Sequence, residues 1–166
     1  IIHARKAMLG KFTPKQNLNI PPLKYGYVYK LKEDFPEDEI IINGGISSVE
    51  EIGTHLKRVD GVMIGRAVYH TPYLLAKIEK EIFKNDDIPS RQAVIEQLIP
   101  YIKDELKKGT RLNQIMRHTL GLFHGQSGAS YWKRYLSENM CVRDADVQKI
   151  DHIMDKINNN VERRVG

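Results

Sequence analysis

The chain has 166 residues, 41% of them apolar, with a formal net charge of +5, which is enough for one or two domains with a packed core. No apolar run reaches the ~20 residues of a membrane-spanning helix, and the start carries no signal-peptide pattern. The single cysteine, Cys141, excludes a disulfide within the chain and agrees with a reducing, cytoplasmic setting.

The chain opens Ile-Ile-His, without methionine. Two β-branched residues before a histidine read as the tail of a strand that began earlier. The expectation is a piece whose N-terminal part is absent; a processed start is the alternative. Next, 24–35 places Tyr25, Val28, Leu31 and Phe35 at helical spacing. The run 39–44, Glu-Ile-Ile-Ile-Asn-Gly, has strand length and β-branched content. Ser47 with Glu50 predicts a capping box for a helix carrying Val49, Ile52 and Leu56. Asp-Gly-Val-Met-Ile-Gly (60–65) is the next strand. Thr71 and Pro72 then predict a helix to about Phe83, threonine as cap and proline in the first turn. The strands are continuously apolar, as parallel strands covered on both faces are.

After 85–90 the pattern is helical only. Ser90 caps a helix with Val94, Leu98, Ile102 and Leu106 on one stripe, ended by Gly109, with Pro100 as a possible kink. Thr110 predicts a cap for the next, ended by Gly125; Ser127 and Asp144 predict caps for two more, the last carrying Val147, Ile150, Met154 and Ile157. The expected organisation is an α/β part over 1–85 and a small helical bundle over 86–166.

Charge is unevenly spread. Residues 1–32 hold Arg5, Lys6, Lys11, Lys15, Lys24, Lys30 and Lys32 and no acid. Residues 106–137 hold Lys107, Lys108, Arg111, Arg117, Lys133 and Arg134, again without an acid. Two such windows point to a polyanion, nucleic acid being the commonest. The alternative is chance in a mildly basic chain.

Three strand ends leave polar groups: His3, Asn43 followed by Gly44 and Gly45, and Gly65 followed by Arg66. In parallel α/β proteins ligands sit beyond the C-terminal ends of strands. Glycines let backbone N–H groups approach an anion, a helix starting at Ser47 would favour negative charge, and Arg66 offers bidentate contacts. The two glycine turns therefore read as halves of one phosphate cradle. Each feature has a plainer reading: an ordinary turn, a tight strand exit, a structural ion pair, a core histidine.

"HARKAMLGKFTPKQNLNIPPL" (3–23), "IIINGGI" (40–46), "DGVMIGRAVYHTPYLL" (60–75) and "RHTLGLFHGQSGASYWKRYLSE" (117–138) together resemble the C-terminal portion of the A-type bacterial tRNA-dihydrouridine synthases. The resemblance implies the last three strands of an FMN-binding (β/α)8 TIM barrel, followed by a helical domain that helps hold tRNA. It implies reduction of a D-loop uridine to 5,6-dihydrouridine with NADPH as reductant, by a cytoplasmic monomer without a metal. It assigns His3, Asn43, Gly44, Gly45, Gly65 and Arg66 to FMN, and Arg5, Lys6, Lys15, Lys133 and Arg134 to tRNA. Ser130 stands where the family places an arginine, and Leu18 where a basic residue is common. The family's proton donor is a cysteine in the first half of the barrel. Cys141 is not in that motif, so no catalytic residue is expected in this chain, nor turnover by it alone. A phosphate-binding barrel of another class, such as a sugar-phosphate isomerase, and a stand-alone RNA-binding module are the competing readings.

Overall fold

The computed structural model describes residues 1–10, 12–141 and 147–162, with side chains as far as Lys156. Lys11, the expected cap Asp144 and the Ile157 side chain lie outside the described residues. The chain divides into two compact units, Ile1–Ala67 and Val68–Gly166.

The first unit alternates strands and helices: β1 (Ile2–His3), α1 (Pro14–Asn17), α2 (Tyr25–Asp34), β2 (Ile41–Asn43), α3 (Val49–Leu56) and β3 (Gly61–Met63). The strands form one parallel sheet in the order β1-β2-β3. Ile2 pairs with Ile42 and His3 with Asn43; Ile42 pairs with Val62 and Asn43 with Met63. Consecutive parallel strands need a crossover, and α2 and α3 provide helices there. Val28, Ile40, Ile42, Val49, Ile52 and Val59 are buried. Burial on both faces, expected for every strand, is met on one face of the central strand, where Ile42 is fully buried; Asn43, on the other face, is half-buried. Ile41 and Val62 are half-buried and Met63 is exposed. On α2 the expected stripe buries Val28 fully and leaves Phe35 in solvent.

The start of α3 corrects the expected cap by one residue. Ser48, not Ser47, is the cap, with Glu51 as its partner: Ser48 Oγ accepts from the Glu51 amide at 3.2 Å, and the Glu51 carboxylate accepts from the Ser48 amide at 3.1 Å. Both serines are followed three residues later by a glutamate. The extended backbone at Ser48 decides between them.

After β3 comes a helix absent from the sequence reading, α4 (Arg66–His70). Then follow α5 (Leu74–Glu81), α6 (Arg91–Lys107), α7 (Leu112–Met116) with a 3₁₀ turn at Arg117–Thr119, α8 (Ala129–Asn139) and α9 (Gln148–Glu162). Ser90 caps α6 as expected, its hydroxyl accepting from the Ala93 amide at 3.1 Å. Three other caps move. Thr71 and Pro72 form the turn ahead of α5, which starts after Tyr73. Thr110 spends its hydroxyl on the Glu105 carboxylate at 2.9 Å, and Arg111 is the cap of α7. Gly128, with φ of 85°, precedes α8 in place of Ser127.

The core of this unit gathers Ile95 and Ile102 from α6, Leu112 and Met116 from α7, Trp132 and Leu136 from α8, and Ile150 and Ile153 from α9. On α6 the expected Val94, Leu98 and Leu106 pack at its margin, while Ile95 lies fully inside. Trp132 is completely buried. Its indole N–H donates to the Thr119 carbonyl at 2.9 Å and its ring lies 4.8 Å from that of Phe123, so both its apolar body and its polar handle are used.

Candidate functional site

The register brings the expected strand ends together. His3 and Asn43 are neighbours across β1 and β2, and Asn43 and Met63 across β2 and β3, two residues before Gly65. The Asn43 amide donates from Nδ2 to the Met63 carbonyl at 2.9 Å, which ties the two strand ends. His3 Nδ1 accepts from the Arg5 amide at 3.0 Å. In the neutral ring that leaves the proton on Nε2, available to donate.

Gly44 and Gly45 have φ of 123° and 72°, a region that L side chains avoid. A Cβ on Gly44 would lie 3.1 Å from Leu23 Cδ2 and 3.2 Å from His3 Cε1; on Gly45 it would lie 2.5 Å from Leu23 Cδ1. Both glycines are thus required by torsion and by packing. Gly65 differs: a Cβ there meets nothing within 4 Å. Its lack of a side chain leaves open space beside the strand end.

The helix N-terminus expected to serve the cradle is already occupied. The Glu51 carboxylate accepts from the Ser47 amide at 2.7 Å, the Ser47 hydroxyl at 3.1 Å and the Ser48 amide. These donors, the Ser47 amide foremost, hold the Glu51 carboxyl below the usual range. The dipole of α3 is met by the chain's own anion. Glu51 does not engage the other parts of the expected cradle, the glycine turns and Arg66.

Arg66 donates to Asn19 Oδ1 at 3.0 Å and to the Leu18 carbonyl at 3.5 Å. This is no structural ion pair, and it leaves guanidinium donors over. Arg5 braces the loop it begins, donating to the carbonyls of Asn19 (3.1 Å) and Pro21. The same loop is pinned by Asn17, whose Oδ1 accepts from the Met8 amide at 2.8 Å, and by the box in which Thr13 and Gln16 cap α1. Lys6 and Lys15 are exposed on it.

Beneath the glycine turn lies an aromatic group that the sequence reading missed. The Tyr25 hydroxyl donates to the Gly44 carbonyl at 2.8 Å, the Tyr25 ring stands edge-on to buried His55 at 4.5 Å, and the Tyr29 hydroxyl meets His55 Nδ1 at 2.7 Å. Burial pushes the His55 imidazole down and, first among its causes, the Tyr25 phenol up. The signal was the i, i+4 spacing of the tyrosines on a helix with an apolar face.

The basic windows are trimmed at their edges. Lys30 pairs with Asp34 at 2.7 Å and Lys32 with Asp60 at 2.8 Å; Lys107 pairs with Asp104 at 3.3 Å and Lys108 with Glu105 at 2.8 Å. Lys6, Lys15, Lys24, Arg111, Arg117, Lys133 and Arg134 have no ion pair among the described residues. Arg134 lies 5.8 Å over the Tyr131 ring. Cys141 is exposed just beyond α8, 3.8 Å from Asn113 Nδ2. Among the described residues no helix is long and apolar enough to cross a membrane, and no cluster of three potential metal ligands occurs.

Fold and site define a parallel α/β chain whose strand ends converge on glycine turns. Residues 1–160 match the family described as dihydrouridine synthase (Dus). The chain belongs to that family. It is 50% identical over 155 residues to the tRNA-dihydrouridine(20/20a) synthase of Shigella flexneri, covering 93% of this chain and 46% of that protein. It is 46% identical over 155 residues to that of Haemophilus ducreyi (93% and 48%), and 50% over 145 residues to that of Synechocystis (87% and 43%). The chain spans about half the length of the curated relatives it matches.

Proposed function

We propose that this chain supplies one wall of an FMN site and a tRNA-holding helical region, over 86–166, to an enzyme that reduces a D-loop uridine of tRNA to 5,6-dihydrouridine. The fold in this reading is the C-terminal part of a (β/α)8 barrel. Three consecutive parallel strands in sequence order, with helices between them, support it.

The observation that carries the reading is the alignment of His3, Asn43 and the Gly65–Arg66 turn at one end of the sheet in a dihydrouridine synthase chain. The residues fit a phosphate-bearing flavin. Gly45 is exposed in the turn, Gly65 leaves open space, Arg66 keeps unused donors, and His3 has a free Nε2. FMN, reduced by NADPH, would supply hydride to the uracil C5–C6 bond. In this reading Arg66 and the glycine amides hold the phosphate, and His3 donates to the cofactor from Nε2. Asn43 fixes the spacing of the strand ends. Lys6 and Lys15 on the braced loop, with Lys133 and Arg134 on α8, neutralise RNA phosphates, and Arg5 keeps the loop in shape. The proton donor to the uracil lies elsewhere in the protein.

The test is a visible spectrum of the full-length protein, followed by tRNA turnover. A flavin band that bleaches on NADPH addition and a product carrying dihydrouridine support the reading. A colourless protein that takes up no added FMN removes it. Turnover of tRNA by residues 1–166 alone would contradict the expectation that the proton donor lies outside this chain.

A further inference from the structure

Beside Lys133 the second unit carries a cleft of about 430 Å³, lined by Tyr69, His70, Arg117, Leu120, Gly121, Lys133 and Ser137. Its walls come from three elements: Tyr69 from α4, Arg117 from the 3₁₀ turn, Lys133 and Ser137 from α8. No carboxylate lines it. Arg117 and Lys133 are exposed and have no ion pair among the described residues. Two like charges facing one cleft repel each other, and an anion between them relieves the repulsion.

The cleft is fixed from behind. A Cβ on Gly121 would lie 1.8 Å from the His70 carbonyl oxygen, so the end of α4 rests directly on backbone. The Trp132 indole on the Thr119 carbonyl ties α8 to the 3₁₀ turn. The Tyr69 hydroxyl is paired with His118 Nδ1 at 3.1 Å, and the Ser137 hydroxyl donates to the Lys133 carbonyl at 2.9 Å. With its backbone walls held, the ordering cost of ligand binding falls mainly on the exposed Arg117 and Lys133 side chains.

We infer that this cleft seats one backbone phosphate of the bound RNA, with Arg117 gripping two oxygens through its planar fork and Lys133 adding a point charge. The inference rests on the tRNA reading and deepens it, by adding Arg117 and by naming a phosphodiester as the group held. A contact of this kind to a phosphodiester positions the RNA without reading its sequence.

The test compares the full-length protein with its Arg117→Gln/Lys133→Gln variant across a salt series, using tRNA and, separately, inorganic phosphate. Both side chains are exposed, so FMN content and thermal midpoint should not change. The variant should bind tRNA about tenfold or more weakly, with a log affinity against log salt slope shallower by about one. Equal affinity and slope, with wild type still binding tRNA, overturns the seat and leaves the tRNA reading intact. A variant that loses inorganic phosphate yet keeps its tRNA affinity also overturns it, in favour of a small free anion. If wild type binds no tRNA, the proposed function itself fails, and the inference with it.

Discussion

The Tyr25 hydroxyl reaches from α2 to the Gly44 carbonyl, 2.8 Å away, and so props the glycine turn that follows β2. Replacing Tyr25 by Phe keeps the ring against His55 and removes only this hydrogen bond. The loss should cost about 1 kcal/mol in urea unfolding and weaken FMN binding several-fold. Unchanged FMN affinity in a measurably destabilised variant would separate the turn's stability from its ligand.

Gly45 and Gly65 should respond differently to alanine. At Gly45 the left-handed torsion costs about 1–2 kcal/mol, and the new Cβ collides with Leu23 besides. Adding Leu23→Ala should relieve the collision but not the torsion, so the double variant should lose less stability than the sum of the two single losses. Gly65→Ala meets no neighbour. Its unfolding free energy should stay within about 0.5 kcal/mol of wild type, while FMN affinity falls because the space is needed.

Gly121→Ala puts a methyl group onto the His70 carbonyl. Backbone cannot swing aside as a side-chain tip can, so a loss of about 3 kcal/mol or more is expected in denaturant melts of the helical unit. A near-wild-type melt would mean that α4 does not rest on this segment.

Stability should fall in two steps on acidification. His55 has a depressed folded value because burial disfavours its charge. Its contribution is complete above the ordinary imidazole range near ~6.5 and declines as pH drops from there toward the folded value. Glu51 is depressed by its donors. Its contribution is complete above the ordinary carboxylate value of ~4.3 and is lost as pH falls through the folded one. Urea unfolding across pH should show the upper step shrinking in His55→Gln and the lower one flattening in Glu51→Gln, which keeps an acceptor but no charge.

Lys15→Ala and Lys133→Ala should each weaken tRNA binding while leaving FMN binding nearly unchanged. Filter binding and flavin titration on the same preparations check this. Parallel losses of both ligands would indicate misfolding instead.

The sheet was legible because continuous apolar runs ending on glycine leave few alternatives; His3 and Asn43 fell at strand ends as read, while β3 stops at Met63, two residues short of Gly65. Caps were less legible. Ser47 and Ser48 each precede a glutamate by three residues, and only the backbone torsion separates them. The five residues of α4 are too short to show a period. The roles of Arg5 and Arg66 were hidden because their partners are mostly backbone carbonyls, which carry no residue signature. The windows looked more basic than they are. Lys30–Asp34 is visible as an i, i+4 pair, but Lys32–Asp60 exists only once β2 and β3 adjoin.

The clamp of Arg5 on Asn19 and Pro21 joins the two ends of a segment whose interior is held by Asn17. Arg66 adds a tie to Asn19 and the Leu18 carbonyl, so the segment is anchored at its base. Lengthening its tip adds only about 0.6 kcal/mol for each doubling of a flexible loop. Relatives could therefore gain, lose or exchange residues between Leu9 and Thr13 without shifting His3 or Leu23. The stretch between Leu9 and Thr13 is thus the part of the segment freest to change, while Lys6 and Lys15 stand on its braced flanks.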